Sequence, residues 1–149
     1  MHQVFQAYLS GLDDYTIDER GDVGSWIRVA SLRGLCMIVE LLLDMFDSGK
    51  DLGPSGPLHI WLPPDSYHEV LGGILKQGVE RLDNVRRQAG ESFLRLLRRG
   101  PPNVEGSDRW RVHGDRLLKQ LFLGYVICHA MRLFYCDIPF QRRGWCGME

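Results

Sequence analysis

The sequence predicts an all-α protein built from stacked helices. Three observations carry that reading. Every strong apolar periodicity in the 149 residues has helical spacing, three and four apart. Three helix-stopping patches cut the chain into helix-sized pieces: Asp47-Ser48-Gly49, the stretch holding Pro54, Pro57, Pro63 and Pro64, and Gly100-Pro101-Pro102. The longest helical segment carries two apolar stripes instead of one. A surface helix needs a single stripe, so two imply cover on two sides, as between neighbours in a stack.

The first element is a helix over Gln3 to Leu12. Asp13 to Asp22 is polar and turn-like, and Gly21-Asp22 places an N-cap just before an apolar run. One long helix then runs from Val23 to about Asp47. Its first stripe is Val23, Trp26, Ile27, Ala30, Ile38, Leu41, Leu42 and Met45; its second is Val29, Leu32, Cys36, Val39, Leu43 and Phe46. Residues 49–64 read as a loop, with Trp61 folding back onto the core. Pro64-Asp65 opens the next helix, with Asp65 as cap and a stripe of Tyr67, Val70, Leu71, Ile74, Leu75, Val79 and Leu82. Asp83 caps the helix after it, which turns Val85, Ala89, Phe93, Leu96 and Leu97 inward. Arg95, Arg98 and Arg99 suit the negative end of its dipole. A polar loop reaches about Gly114. A helix over Asp115 to Asp137, apolar nearly all round, and a short tail finish the chain.

Composition narrows the function. Hydrophobic residues make up 44% and charged residues 25%, which suits a globular chain and excludes wholesale disorder. The net charge of −1 argues against a general polyanion binder. Residues 1–53 hold nine acids against four bases, and the remainder is slightly basic. The longest charge-free apolar stretch, Gln120 to Met131, is about half of the roughly 20 residues that span a bilayer. No secretory signal is visible. Cys36, Cys128, Cys136 and Cys146 are too scattered for a disulfide framework, so the expectation is a cytosolic chain with reduced thiols.

No dinucleotide, phosphate-loop, zinc-protease or serine-hydrolase motif occurs. Arg20-Gly21-Asp22 reads as a turn and cap. His113, Cys128, His129, Cys136 and Cys146 lack the close paired spacing of structural zinc, and His59 and His68 have no partner at motif spacing. The expectation is therefore a non-enzyme without cofactor or metal. A small all-α enzyme or metal protein using His113, His129 and the C-terminal cysteines stays as an alternative. Asp13, Asp14, Asp18, Glu19 and Asp22 surround Tyr15 and Arg20, as a solvated loop or a contact for a basic partner. Arg81, Arg86, Arg87, Arg95, Arg98 and Arg99 make one helix basic. Its only aromatic residue, Phe93, lies on the buried stripe, so nucleic acid is not an expected partner.

A faint repeat supports stacking. Ile27-Arg28 and Val85-Arg86 each begin a helix, and at the same offset Leu35, Ile38 and Val39 match Phe93, Leu96 and Leu97. Each pair follows an acid, Asp22 or Asp83. This is the HEAT pattern, in which the Asp caps a helix and Asp and Arg hydrogen-bond between stacked repeats. The fold class is thus a HEAT/armadillo-type α-solenoid fragment of about two to three helix pairs.

One segment is more specific. Asp14-Tyr15-Thr16-Ile17-Asp18-Glu19-Arg20-Gly21-Asp22-Val23-Gly24-Ser25-Trp26-Ile27-Arg28 resembles the signature of the tubulin-folding cofactor D (tubulin-specific chaperone D) family. A second segment in the right order, Arg81 to Leu97, resembles a later helix of that family. The likeness covers about residues 8 to 100. Residues 1–104 then read as HEAT-like repeats of the family's C-terminal region, and 105–149 as a divergent or truncated helix plus tail.

The resemblance implies binding of β-tubulin, assembly of the αβ heterodimer with the other tubulin-folding cofactors, and stimulation of GTP hydrolysis by tubulin within a cofactor complex. It implies a cytoplasmic, cytoskeleton-associated location. Tyr15, Arg20, Gly21, Asp22, Gly24, Trp26 and Arg28 are the family-signature residues and read as packing: Gly21 and Gly24 for a tight turn, Asp22 as cap, Trp26 filling a groove between helices. The six arginines of the basic helix are the expected docking face, since tubulin is acidic. Exposed stacking faces could self-associate. The alternative function is a generic HEAT/armadillo interaction scaffold that does not involve tubulin.

Overall fold

The structure is a computed structural model that describes residues 1–47 and 57–121. Its elements are α1 (His2–Gly11), β1 (Ile17–Asp18), β2 (Gly21–Asp22), α2 (Gly24–Asp47), α3 (Leu58–Trp61), α4 (Pro64–Gln77) and α5 (Asp83–Arg99), then a 3-10 turn over Ser107–Trp110. Residues 115–121 are helical again. The all-α class and the three main helix stretches agree with the sequence reading.

Two helix pairs stack. Within the first, α1 runs antiparallel to α2: Tyr8 packs over Gly34, and Gly11 meets Ser31. Between pairs, equivalent helices run parallel. Bonds from α2 to α5 and just beyond join Arg33 to Gln88, Cys36 to Ser92, Glu40 to Arg95, Asp44 to Arg99 and Asp47 to Asn103. Their constant separation of 55 or 56 residues is the mark of a parallel register. Along α1 and α4 the bonds Gln6 to Glu69, Asp13 to Lys76 and Leu12 to Gln77 do the same at 63 to 65 residues. This is solenoid stacking, two pairs deep among the described residues. The core between them holds Phe5, Leu32, Leu35, Val39, Leu43, Tyr67, Ile74, Val85, Phe93 and Leu96.

Several expectations change. The Asp13 to Asp22 turn contains a small antiparallel pairing, Ile17 opposite Asp22. The loop over 49–64 contains the short helix α3, and Trp61 at its end packs on the core as expected. Asp65 and Asp83 are not caps. Pro64 takes the first position of α4, so Asp65 falls in the first turn, where its charge still suits the dipole. Asp83 is the first residue of α5, after an extended Leu82. The α4 helix stops at Gln77, so Val79 is 84% exposed and Gln77 takes the inward place.

The two stripes of α2 are not both covered. Trp26, Ile27 and Leu41 of the first lie exposed, while Ser25, Arg28 and Ser31 are buried. The loop before Gly114 is also less polar than expected. Trp110 is buried, and its indole Nε1 donates to the Leu62 carbonyl at 3.0 Å.

Candidate partner surface

The signature segment builds a lock at the start of α2. Asp14 and Asp18 accept from the backbone N–H two residues on, at Thr16 (2.9 Å) and Arg20 (2.7 Å), which folds the loop into tight turns. Gly21 turns the chain at φ +107°, a left-handed conformation that glycine adopts without cost. Asp22 Oδ1 accepts from Ser25 N at 2.8 Å and caps the first turn, as the sequence reading has it. Gly24 passes so close to the Asp14 carbonyl that a β-carbon would collide with it.

Arg28 fills the centre of this loop and is 0% exposed. Its Nη2 donates to Asp22 Oδ2 at 2.8 Å, and its Nη1 donates to the Asp14 carbonyl. Its guanidinium carbon lies 4.3 Å from the centre of the Tyr15 ring, a cation–π contact. The Tyr15 hydroxyl donates to the Glu80 carboxylate in the turn between α4 and α5. The lock therefore joins the first helix pair to the second. The Arg28 bond holds the Asp22 carboxyl below its ordinary range, against a raising effect of burial, and the Thr16 bonds do the same for Asp14. The bond to Glu80 pushes Tyr15 up.

Two signature readings are corrected. Trp26 fills no groove: it is 63% exposed, with the Arg20 guanidinium 5.8 Å from its ring centre. Asp22 and Arg28 bond within one repeat, not between stacked repeats. The likeness between repeats is instead in the reach of the arginine. Arg86 Nη1 donates to the Glu80 carbonyl, six residues back, at 2.7 Å, just as Arg28 reaches Asp22 six residues back.

Of the six arginines expected on one basic helix, Arg81 lies in the turn before α5 and five lie on α5, where four are in ion pairs. Arg95 Nε donates to Glu40 at 3.0 Å. Arg99 holds Asp44 at 2.9 Å and also Asp47. Arg87 pairs with Glu91 at 2.9 Å, and Arg86 with Asp83. Arg81 and Arg98 are exposed and have no ion pair among the described residues. The acids of α2 that meet this helix are far away in sequence, so no local pattern could mark them.

The remaining chemistry is sparse. No three metal-ligating side chains come together among the described residues. His113 is exposed, and Cys128, His129, Cys136 and Cys146 lie outside the described residues. Burial pushes the Cys36 thiol up to about 11, which keeps it protonated. His68 Nε2 sits 2.9 Å from the Arg109 carbonyl and anchors the 3-10 turn. No helix among the described residues is long and apolar enough to cross a membrane.

No solved structure matches the chain. The family described as tubulin folding cofactor D C terminal matches residues 68–132. The matched stretch begins inside α4 and takes in α5 with the second resembling segment. It continues past Val104, beyond the likeness visible by motif, while the signature loop of residues 14–28 precedes it. Residues 68–132 of this helical stack are thus similar to the C-terminal region of tubulin folding cofactor D.

Proposed function

We propose that the chain binds β-tubulin and assists assembly of the αβ heterodimer, stimulating GTP hydrolysis by tubulin as part of a complex with other tubulin-folding cofactors. The observation that carries this reading is the family match over α4, α5 and the residues that follow. The protein acts through a surface and is not itself an enzyme. An extended helical stack offers a broad face suited to a large protein partner. Arg81 and Arg98, the two α5-region arginines without an ion pair among the described residues, are the cations available to an acidic partner. The place of action is cytoplasmic and cytoskeleton-associated.

The test is binding of the purified full chain to purified tubulin at two salt concentrations, with an unrelated acidic protein as control and circular dichroism to establish helix. Saturable, salt-sensitive binding to tubulin alone is expected. A well-folded chain that binds neither protein, or both equally, overturns the reading. Equal binding would favour the generic scaffold.

A further inference from the structure

Seven residues of α2 are exposed, and six of them fall on one line: Trp26, Ala30, Arg33, Met37, Leu41 and Asp44. Their spacings of four, three, four, four and three keep them on a single face of the helix. The seventh, Ile27, borders that line. The other faces are taken. Residues of α1 pack over Ser31 and Gly34, α5 bonds Cys36 and Glu40, and Leu32, Leu35, Val39 and Leu43 fill the core. A stripe turned to solvent is ordinarily polar, yet Met37 is 66% and Leu41 57% exposed at the centre of this one.

Charges of opposite sign flank those two residues. Arg33, four residues before Met37, donates from Nε to the neutral Gln88 side chain at 2.7 Å and has no ion pair among the described residues. Asp44, three residues after Leu41, accepts from Arg99 at 2.9 Å and keeps its side chain 65% exposed. Arg99 also holds Asp47. The order along the face is cation, apolar, apolar, anion, which is complementary to its own reverse. A second copy laid antiparallel, with each Met37 against the other's Leu41, places each Arg33 beside the other's Asp44. A parallel copy would set Arg33 against Arg33 and Asp44 against Asp44, which is repulsive.

We propose that this face of α2 is a two-fold, antiparallel docking surface for a second copy of the chain. Arg81 and Arg98 take no part in it, so the inference is independent of the tubulin reading.

Sedimentation equilibrium of the full chain tests it. A reversible monomer–dimer equilibrium with no larger species is expected. Arg33→Asp and Asp44→Arg should each weaken dimerisation about tenfold, because like charges then meet at both ends of the contact. Mixed in equal amounts, those two variants should pair with each other and recover the unmodified affinity to within about threefold. Mixing does not rescue a misfolded variant. Met37→Lys alters an exposed side chain, so it should weaken the dimer by a similar factor and leave the helical circular dichroism unchanged. A monomer at every concentration overturns the proposal. A lowered melting temperature of Met37→Lys would then show that the chain itself covers the face, and an unchanged one would leave the face to another protein. A dimer that Met37→Lys leaves intact, or that mixing does not restore, overturns the proposal as well.

Discussion

Arg28 and Arg86 hold matching places, each near the start of a helix, and each reaches six residues back. Their surroundings differ. Arg28 is sealed, with a carboxylate, a carbonyl and an aromatic ring around one guanidinium. Arg86 has a side chain 29% exposed and pairs with Asp83 at the surface. The same sequence pattern therefore makes a lock in one repeat and a surface pair in the other. The difference comes from what precedes it. The turn and hairpin of residues 12–23 fold over Arg28, whereas only the short connection 78–82 joins α4 to α5. Burial decides the energy, because a desolvated charge that loses its partners is costly and a solvated one is not.

The sharpest way to break this comparison is to delete each arginine. Arg28→Ala should cost about 3 kcal/mol in urea unfolding, since it empties the centre of the lock and strands its acceptors. Arg86→Ala should cost under about 1 kcal/mol. Equal losses would show that the sequence pattern, and not burial, sets the effect. Arg28→Lys refines the contrast: an ammonium cannot reproduce the forked bonding or the stacking on Tyr15, so most of the loss should remain.

Gly24→Ala comes next, at about 2 kcal/mol, because its β-carbon is driven onto the Asp14 carbonyl. That carbonyl is also an acceptor for Arg28. The double variant with Arg28→Ala should therefore lose clearly less than the two single losses added together. Strict additivity would mean that the glycine and the arginine serve separate parts of the loop.

Acid should find the same weak point. The Asp22 carboxyl is held below the ordinary 3.8 by Arg28. Its contribution to stability is present above the unfolded value and lost as pH falls through the lower folded value. Asp22→Asn should flatten the stability profile below about pH 4, while Asp83→Asn, at the surface pair, should change it little. If both variants keep the same acid limb, the lock is not what titrates.

The helix spans were legible because their signals are local. Proline, glycine and three-four spacing placed the starts or ends of α1, α2 and α5 within a residue or two. The direction of side chains was less so. In the first half of α2 the inward places go to Ser25, Arg28 and Ser31, and in α4 to Gln77. Apolar periodicity cannot see a polar residue that is buried because a neighbouring loop satisfies it. Trp26 was drawn inward by its size, yet the lock occupies that side of the helix and leaves Trp26 outside. The arginines of the candidate surface were legible as letters. Their neutralisation by Glu40, Asp44 and Asp47 depends on a long-range register that only the parallel stack creates.

That register gives the smallest effect and the most useful test of the partner surface. Arg95→Ala removes an exposed pair with Glu40, so it should lower stability by under about 0.5 kcal/mol, and less still at high salt. Charge already spent on Glu40 is also poorly available to a partner. Arg95→Glu should therefore weaken tubulin binding less than Arg81→Glu or Arg98→Glu, whose cations have no ion pair among the described residues. Binding isotherms of the three variants at low salt give the ranking. A dominant effect at Arg95 would mean that the partner takes over from Glu40, and that the ladder between α2 and α5 opens when the complex forms.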